Sequence, residues 1–316
     1  MDTLTGLLDG ARAREAFLLR TVLEPPFALR IQDEAPLSLV AMLKGSAQVI
    51  RDSRITLNPG DVAVICGPQP YTVADDPATP WQTIIHPGQV CTTVDGTPRE
   101  HLGVRSWGDP SGGGTELITG TYQLRSEVSR RLLRTLPSML VQPAAGTDRT
   151  LVGLLSAEMG RTAPGQELVL DRLLDLLLIS VLRSWLAGTP TWHDPIAGTA
   201  LRLLHAEPAA PWTVAELARR AGVSRSLLAR RFTELVGEPP MAYLTGWRLA
   251  LAADLLRDPS LTLGAVARQV GYGSAFALSA AFKRERGLSP QDFRQHSPDM
   301  HFTAYDPGPS PVVVLA

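Results

Sequence analysis

The 316-residue chain carries 30 basic and 31 acidic side chains, a net charge of −1 with histidine neutral, 44% hydrophobic residues and two cysteines. Such a length suits two domains better than one, two cysteines cannot build a disulfide framework, and the balance of charge excludes a uniformly basic nucleic-acid binder. The most apolar stretch, Leu168–Leu186, holds Asp171, Arg172, Asp175 and Arg183 and is too charged to span a membrane; with no cationic-then-apolar leader at the start, a reducing, cytoplasmic setting is expected.

A short helix is expected around Asp2–Leu8. From residue 12 to about 125, short or alternating apolar runs recur at PFALRI, LSLVAML, AQVI, DVAVIC, WQTII and ELITGTYQL, punctuated by Gly, Pro and Asp. That pattern predicts many short strands in a sandwich or barrel. An interior lined by Val40, Met42, Val62, Val64, Tyr71 and Trp81 has the composition of a small-molecule site, although such side chains can equally fill a small barrel. Met42, Val64, Tyr71 and Trp81 are therefore the candidate effector-pocket residues. Cys66, His86, Cys91 and His101 fall within 36 positions of one another. Brought together they could bind a soft metal or, through Cys66 and Cys91, act as a redox pair. The alternative is that Cys66, alternating with Val62 and Val64, is a small buried hydrophobe and that both histidines sit in turns. Cys91 falls in an irregular stretch, HPGQVCTTVDG, and the Gly-rich segment from Gly96 to Gly114 is expected to be a flexible loop or lid.

From Ser126 the period changes to 3.6, predicting helices over 126–136, 149–162 and 167–187. Apolar residues cover more than one face of the last, which suits a helix wedged inside the monomer or one packed on a second copy of the chain. Gly188–Pro195 is expected to be a linker.

The stretch from Thr213 to His296 repeats itself about fifty residues apart. Its first copy reads WTVAELARRAGVSRSLLARRF and its second LTLGAVARQVGYGSAFALSAAF. Thr213 with Glu216 forms a capping box, Leu217 and Ala218 face inward, Gly222 ends the helix, and Ser224 caps a second helix. Leu227, Leu228, Phe232 and Leu235 supply that helix's buried stripe, leaving Arg225, Arg230 and Arg231 outside. The second copy uses Thr262, Val266, Val270, Gly271 and Ser274, with Phe276, Leu278 and Phe282 as the apolar stripe. Between the copies, Pro239–Arg257 reads as one helix of roughly 28 Å. Each copy has the plan of a helix-turn-helix, and two such units about one turn of DNA apart can enter successive major grooves.

Residues Ile196–Ser297 resemble the DNA-binding domain of the AraC/XylS family of transcription regulators. The resemblance rests on GVSRSLLARRFTELVGEPPMAYLTGWRLALAADLL and on GYGSAFALSAAFKRERGLSPQDFR, where Ser289 and Asp292 form a further capping box. It implies base contacts at Ser226, Ala229 and Arg230 in the first unit and at Ala275, Phe276, Ser279 and Ala280 in the second. Family members commonly have Glu at the place of Ala275 and Arg at that of Ala280, so more of the discrimination is expected from Arg230, with Lys283 and Arg284 holding phosphates. Arg225 and Arg231 complete the candidate DNA-contact set. Charge distribution agrees: residues 195–297 hold 13 basic and 8 acidic side chains, the remainder 17 and 23.

Upstream, LNPGDVAVICGPQPYTV resembles the turn and strand of a cupin barrel, and cupin-like effector domains often precede this type of DNA-binding domain. Metal-binding cupins present His in two motifs. Here Tyr71 stands at the usual His of the second, and the first, around Gly45–Arg51, has neither His nor Glu, so no cofactor is expected.

The expected fold is α+β: a cupin-like β-barrel with helices over 1–187 (strands 12–125, helices 126–187), a linker over 188–195, an all-α double helix-turn-helix domain over 196–297 and a mobile tail over 298–316. The expected function is a non-enzymatic, cytoplasmic, sequence-specific DNA-binding regulator that senses a small molecule or redox signal. Its partners would be promoter DNA, RNA polymerase, an effector and a second copy in a homodimer. The alternatives are a cupin-type metalloenzyme or ligand carrier, and a thiol switch acting through Cys91.

Overall fold

A computed structural model of the chain describes residues 17–99, 105–109, 113–122, 126–133, 136–189 and 194–296. The helix expected near Asp2–Leu8, His101 and the tail from 298 lie outside them. Among the described residues the first half is built on twelve strands: β1 (Phe17–Leu23), β2 (Ala28–Ile31), β3 (Leu37–Lys44), β4 (Ala47–Ile50), β5 (Arg54–Leu57), β6 (Val62–Cys66), β7 (Tyr71–Ala74), β8 (Thr83–Ile85), β9 (Cys91–Thr93), β10 (Ser106–Gly108), β11 (Thr115–Tyr122) and β12 (Met139–Gln142). They form two six-stranded sheets, ordered β10-β1-β11-β3-β6-β12 and β5-β4-β7-β2-β8-β9. Three helices follow: α1 (Glu127–Leu133), α2 (Arg149–Met159) and α3 (Gln166–Ala187).

Alternation along each strand of the first sheet sends side chains into two separate cores. Leu19, Val40, Met42, Ala63, Ile65 and Leu117 meet Leu29, Ile31, Val49, Tyr71 and Val73 of the second sheet. Leu18, Leu37, Leu39, Val62, Val64 and Ile118 point the other way, against Val152 and Leu155 of α2 and Leu170, Leu174, Leu177 and Val181 of α3. Tyr122 Oη donates to the Leu174 carbonyl at 2.9 Å, tying β11 to α3 from within this second core.

Several expectations need correction. Three strands lie where none was expected: β9 in the stretch read as irregular, β10 in the Gly-rich loop, where it pairs parallel with β1, and β12 in the segment assigned wholly to helices, where it adds an edge to β6. Val62 and Val64 do not face the barrel interior but the helical layer. Because both faces of β6 are covered, VAVIC is apolar throughout and its alternation cannot distinguish inside from outside.

The second half is all helix: α4 (Ala197–Ala206), α5 (Val214–Arg220), α6 (Arg225–Val236), α7 (Pro240–Leu256), α8 (Leu263–Gln269), α9 (Ala275–Arg286) and α10 (Pro290–His296). The buried half of α7 contributes Tyr243 and Leu244 to one core with Leu217, Leu228 and Phe232, and Leu249, Ala252, Ala253 and Leu256 to another with Val266, Leu278 and Phe282. One helix thus anchors both small units, which by themselves are too short to bury a core.

The approach of α3 to the sheet depends on Gly120, where an added Cβ would stand 2.7 Å from Leu174 Cδ1. Gly120→Ala is expected to cost about 1–3 kcal/mol by overpacking. In urea unfolding, combining it with Leu174→Ala should recover part of that loss, and strict additivity of the two changes would show that the contact does not set the spacing.

Candidate nucleic-acid interface

The two recognition helices, α6 and α9, start from matching caps. Ser224 Oγ accepts from Leu227 N at 3.2 Å and Ser274 Oγ from Ala277 N at 3.1 Å. The preceding helices are capped likewise, Thr213 Oγ1 from Glu216 N at 3.1 Å and Thr262 Oγ1 from Ala265 N at 3.2 Å. Gly222 and Gly271 take positive φ, 69° and 83°, in the turns. Only half of the expected Thr213–Glu216 box forms: the Glu216 carboxylate turns outward to accept from Arg219 Nε at 2.9 Å and Arg220 Nε at 3.0 Å. Hydrogen bonds from these two arginines hold it at about 2. At α10 the box is complete, Asp292 N donating to Ser289 Oγ and Ser289 N to Asp292 Oδ2.

With both helices capped by Ser fifty positions apart, the outward residues correspond one to one. On α6, Arg225, Ser226 and Arg230 are exposed and Ala229 is half-buried; Arg230 is 71% exposed, with its Nε 3.7 Å from Glu234 of the next turn. On α9, Ala280, Lys283 and Arg284 are exposed, and Ala275 and Ser279 are half-buried. Phe276 does not belong to the buried stripe: it is 84% exposed, while Leu278, Ala281 and Phe282 make the core contact. The periodicity that suggested otherwise counts an apolar residue as inward without regard to its angle on the helix.

Arg231 is occupied. Its Nε pairs with Asp194 Oδ2 at 2.8 Å, and Asp194 also accepts from Ile196 N at 3.0 Å and Ala197 N at 2.7 Å, capping α4. Burial favours the protonated acid, but these two amides and the guanidinium hold the carboxyl below its ordinary range. Asp194 was missed from sequence, although an Asp three residues before Ala197 is a recognisable cap signal.

The strand-rich half meets this unit through α1, whose N-terminus is capped by a carboxylate from α7: Asp254 accepts from Ser126 Oγ at 2.7 Å, Glu127 N at 2.7 Å and Val128 N at 3.1 Å. Val128 packs between Trp247 and Ala250. Glu127 Oε2 accepts from Arg286 Nη1 at 3.0 Å, at the end of α9, and Oε1 lies 3.5 Å from Arg257 Nη2. Burial raises the Glu127 pKa, yet Arg286, Arg130 and Arg257 outweigh it and hold the carboxyl below 4.5. Arg131 reaches Glu238 and lies over the Tyr243 ring, 5.2 Å from its centroid. Beneath it His205 is hydrogen-bonded to Tyr243 Oη at 2.6 Å and stacked on Trp247 at 4.2 Å. Burial, then Arg131, lower its pKa from 6.5 to about 3.

The four effector-pocket candidates do not converge. Met42 and Tyr71 belong to the core between the sheets, Val64 to the core under α3, and Trp81 is 49% exposed with the Arg30 guanidinium 4.8 Å over its ring. What lies between the sheets is a cavity of about 20 Å³ lined by Thr21, Asp33, Tyr71, Leu117 and Thr119 among others, room for about one water. Cys66 and Cys91 also fall in different cores, and burial pushes each thiol up to about 11. That is the opposite of an activated thiolate. His86 is taken up by Gln32 and Thr92. Among the described residues no group of three His, Cys, Asp or Glu could hold a metal ion, and no helix is long and apolar enough to cross a membrane.

His205 and Glu127 titrate below their ordinary values in the folded chain, so in both cases the unfolded chain binds more protons and stability falls with falling pH. The His205 contribution is expected to decline from about pH 6.5 toward 3 and that of Glu127 from about 4.5 downward. A melting-temperature series from pH 8 to 4 should therefore slope down below 6.5, and His205→Gln should flatten its upper part; an unchanged slope would place the titration elsewhere.

Comparison with known proteins matches the description "Cupin" to residues 2–187 and "Helix-turn-helix domain" to residues 217–296. The chain is 34% identical over 317 residues to a putative AraC-like transcription regulator of Streptomyces lividans, covering 94% of this chain and 99% of the relative. It is 30% identical over 315 residues to the HTH-type transcriptional regulator AlkR of Acinetobacter baylyi, covering 94% and 100%. Among solved structures it is similar to the DNA-binding domain of AdpA in complex with a target DNA, with 32% identity over 32% of this chain and 91% of that one and a TM-score of 0.31. Full-length similarity to named regulators, together with a strand-rich cupin half and a duplicated helix-turn-helix half, makes this chain a member of the AraC family of DNA-binding transcription regulators.

Proposed function

We propose that both recognition helices enter the major groove of a promoter duplex and that the cupin half, residues 1–187, biases this engagement in response to a small-molecule signal. The observation that carries the reading is the pair of outward-facing, identically capped helices on one connecting helix, within the segment that holds the chain's excess of positive charge. Arg225, Ser226, Ala229 and Arg230 face bases in the first unit, and Ala275, Phe276, Ser279 and Ala280 do so in the second. Lys283 and Arg284 hold phosphates. Arg231 is withdrawn from the DNA-contact set; through Asp194 it positions α6 against the start of α4.

An effector of drug size needs a few hundred Å³, so it would enter between the sheets only if they part around Tyr71 and Asp33. A second copy of the chain would cover Leu168, Val169 and Leu176 of α3, which are 45–66% exposed. RNA polymerase is the partner through which binding becomes regulation, the cytoplasm is its setting, and no chemistry is asked of the chain. A ligand or partner acts by binding one arrangement of the two halves better than another.

In a fluorescence titration on duplexes from its own upstream region, Arg230→Ala is expected to lose about 1–3 kcal/mol, concentrated at one base pair. Equal weakening on every sequence would reassign Arg230 to a phosphate. Lys283→Ala should leave sequence preference intact and lower the slope of log affinity against log salt by about 0.9; an unchanged slope would remove Lys283 from the backbone contacts.

A further inference from the structure

The two recognition helices share a plan and differ in chemistry. Counting from Ser224 and Ser274, Arg225, Ser226, Ala229 and Arg230 of α6 correspond to Ala275, Phe276, Ser279 and Ala280 of α9. The first set offers guanidinium and hydroxyl groups. The second offers a phenyl ring between small side chains, with Ser279 supplying its hydroxyl.

Phe276 is 84% exposed, the highest value of any large hydrophobic residue described, while Leu278 and Phe282 of the same helix are fully buried. Among the described residues nothing in the fold of the second unit uses the ring, because its core is already closed by Val266, Leu278, Ala281 and Phe282. A phenyl group held in water gains about 25 cal/mol for each Å² it later covers, which favours an apolar contact made by a partner. The surroundings identify the partner's charge. Lys283 and Arg284, two turns along α9 from Phe276, are exposed, as is Arg268 at the end of α8. A polyanion with an apolar spot is the complement. In the major groove that spot is the C5 methyl of thymine, the one apolar group any base presents there. Ala275 and Ala280 are short enough to let the groove floor approach the ring, and they provide no partner for the polar edge of a G·C pair, which would be desolvated without compensation.

We propose that the second unit selects thymine through Phe276, by packing the ring on one or more C5 methyl groups while Ala275 and Ala280 exclude polar base edges. This rests on the DNA-binding reading above and gives it a division of labour: the first unit discriminates by hydrogen bonding, the second by apolar contact.

The test starts from a pool of random 30-base-pair duplexes selected with the full chain, either wild type or Phe276→Ser. Serine already occupies the corresponding exposed position of α6, so this variant removes nothing from the core, and matching melting curves will verify that it folds. The wild type is expected to enrich a two-armed site, with T·A pairs in one arm that Phe276→Ser no longer selects. Replacing those thymines by deoxyuridine, which removes only the methyl, should weaken wild-type binding about fourfold for each contacted base and leave the variant unaffected. Equal wild-type affinity for thymine and deoxyuridine duplexes, or undiminished thymine selection by Phe276→Ser, overturns the proposal. A site whose Arg230-dependent arm is enriched without a thymine preference in the other also overturns it, while leaving the DNA-binding reading in place. Failure of the wild type to enrich any sequence would instead sink that reading.

Discussion

Three carboxylates join the halves of this molecule, Asp254, Glu127 and, paired with Arg131, Glu238. Asp254, on the helix that connects the reading units, caps α1 of the cupin half, and Glu127 of α1 answers with ion pairs to Arg257 and Arg286. The exchange is reciprocal: each half supplies an acid that the other satisfies, and neither acid is fully solvated. A partly buried carboxylate with several donors is worth more than a surface pair, because removing a donor leaves a desolvated charge behind. Val128, seated against Trp247 and Ala250, excludes water from the same spot. The arrangement of the two halves is thus held by a compact patch on α7, by Glu238 just before it and by one residue at the end of α9.

That patch lies close to the strand which binds the two cores of the first half. β11 sits between β1 and β3, with Leu117 in the inter-sheet core and Ile118 in the helical core, and its last residue is Tyr122, bonded to Leu174. Only four residues separate Tyr122 from the start of α1. A displacement of the sheets by a bound molecule, or of α3 by a second copy of the chain, therefore has a short covalent path to the Asp254 cap. Contiguity alone does not establish coupling; what the geometry supplies is an element, α1, that both halves restrain.

Much of the reader was legible in the sequence because its signals are local. Ser224, Ser274, Thr213 and Thr262 cap the helices they were expected to cap, and the core residues of each unit follow at helical spacing. What escaped was long-range. The match of Asp194 to Arg231, of Asp254 to α1 and of Arg131 to Glu238 spans 37 to more than 100 positions, and no local rule pairs them. In the cupin half the strands announced themselves but their faces did not, since the sheet carrying Val62 and Val64 is covered on both sides. Val64 left the effector-pocket set for that reason. Trp81 left it for another: its ring stays 49% exposed, with the Arg30 guanidinium over it, and an exposed aromatic is not distinguished from a buried one by its type.

The distance between the reading helices follows from α7. Seventeen residues rise about 25 Å, less than the roughly 34 Å of one DNA turn, so the proposed entry of α6 and α9 into successive grooves requires a sideways offset of both from its axis. Each offset is fixed by a closed core, Leu228 and Phe232 on one side, Leu278 and Phe282 on the other, and closed cores resist small deformations. In the proposed complex the spacing of the two arms is therefore set by the helical half itself. What the cupin half can still alter lies at the patch it holds: α7 carries Gly246 in mid-helix, where an added Cβ would stand 2.4 Å from Arg131 Nη1, so Arg131 lies directly on its backbone. Helix α1 also places Glu127 on Arg286 at the foot of α9 and Arg131 on Tyr243 and Glu238 of the first unit, so it bears on both units at once.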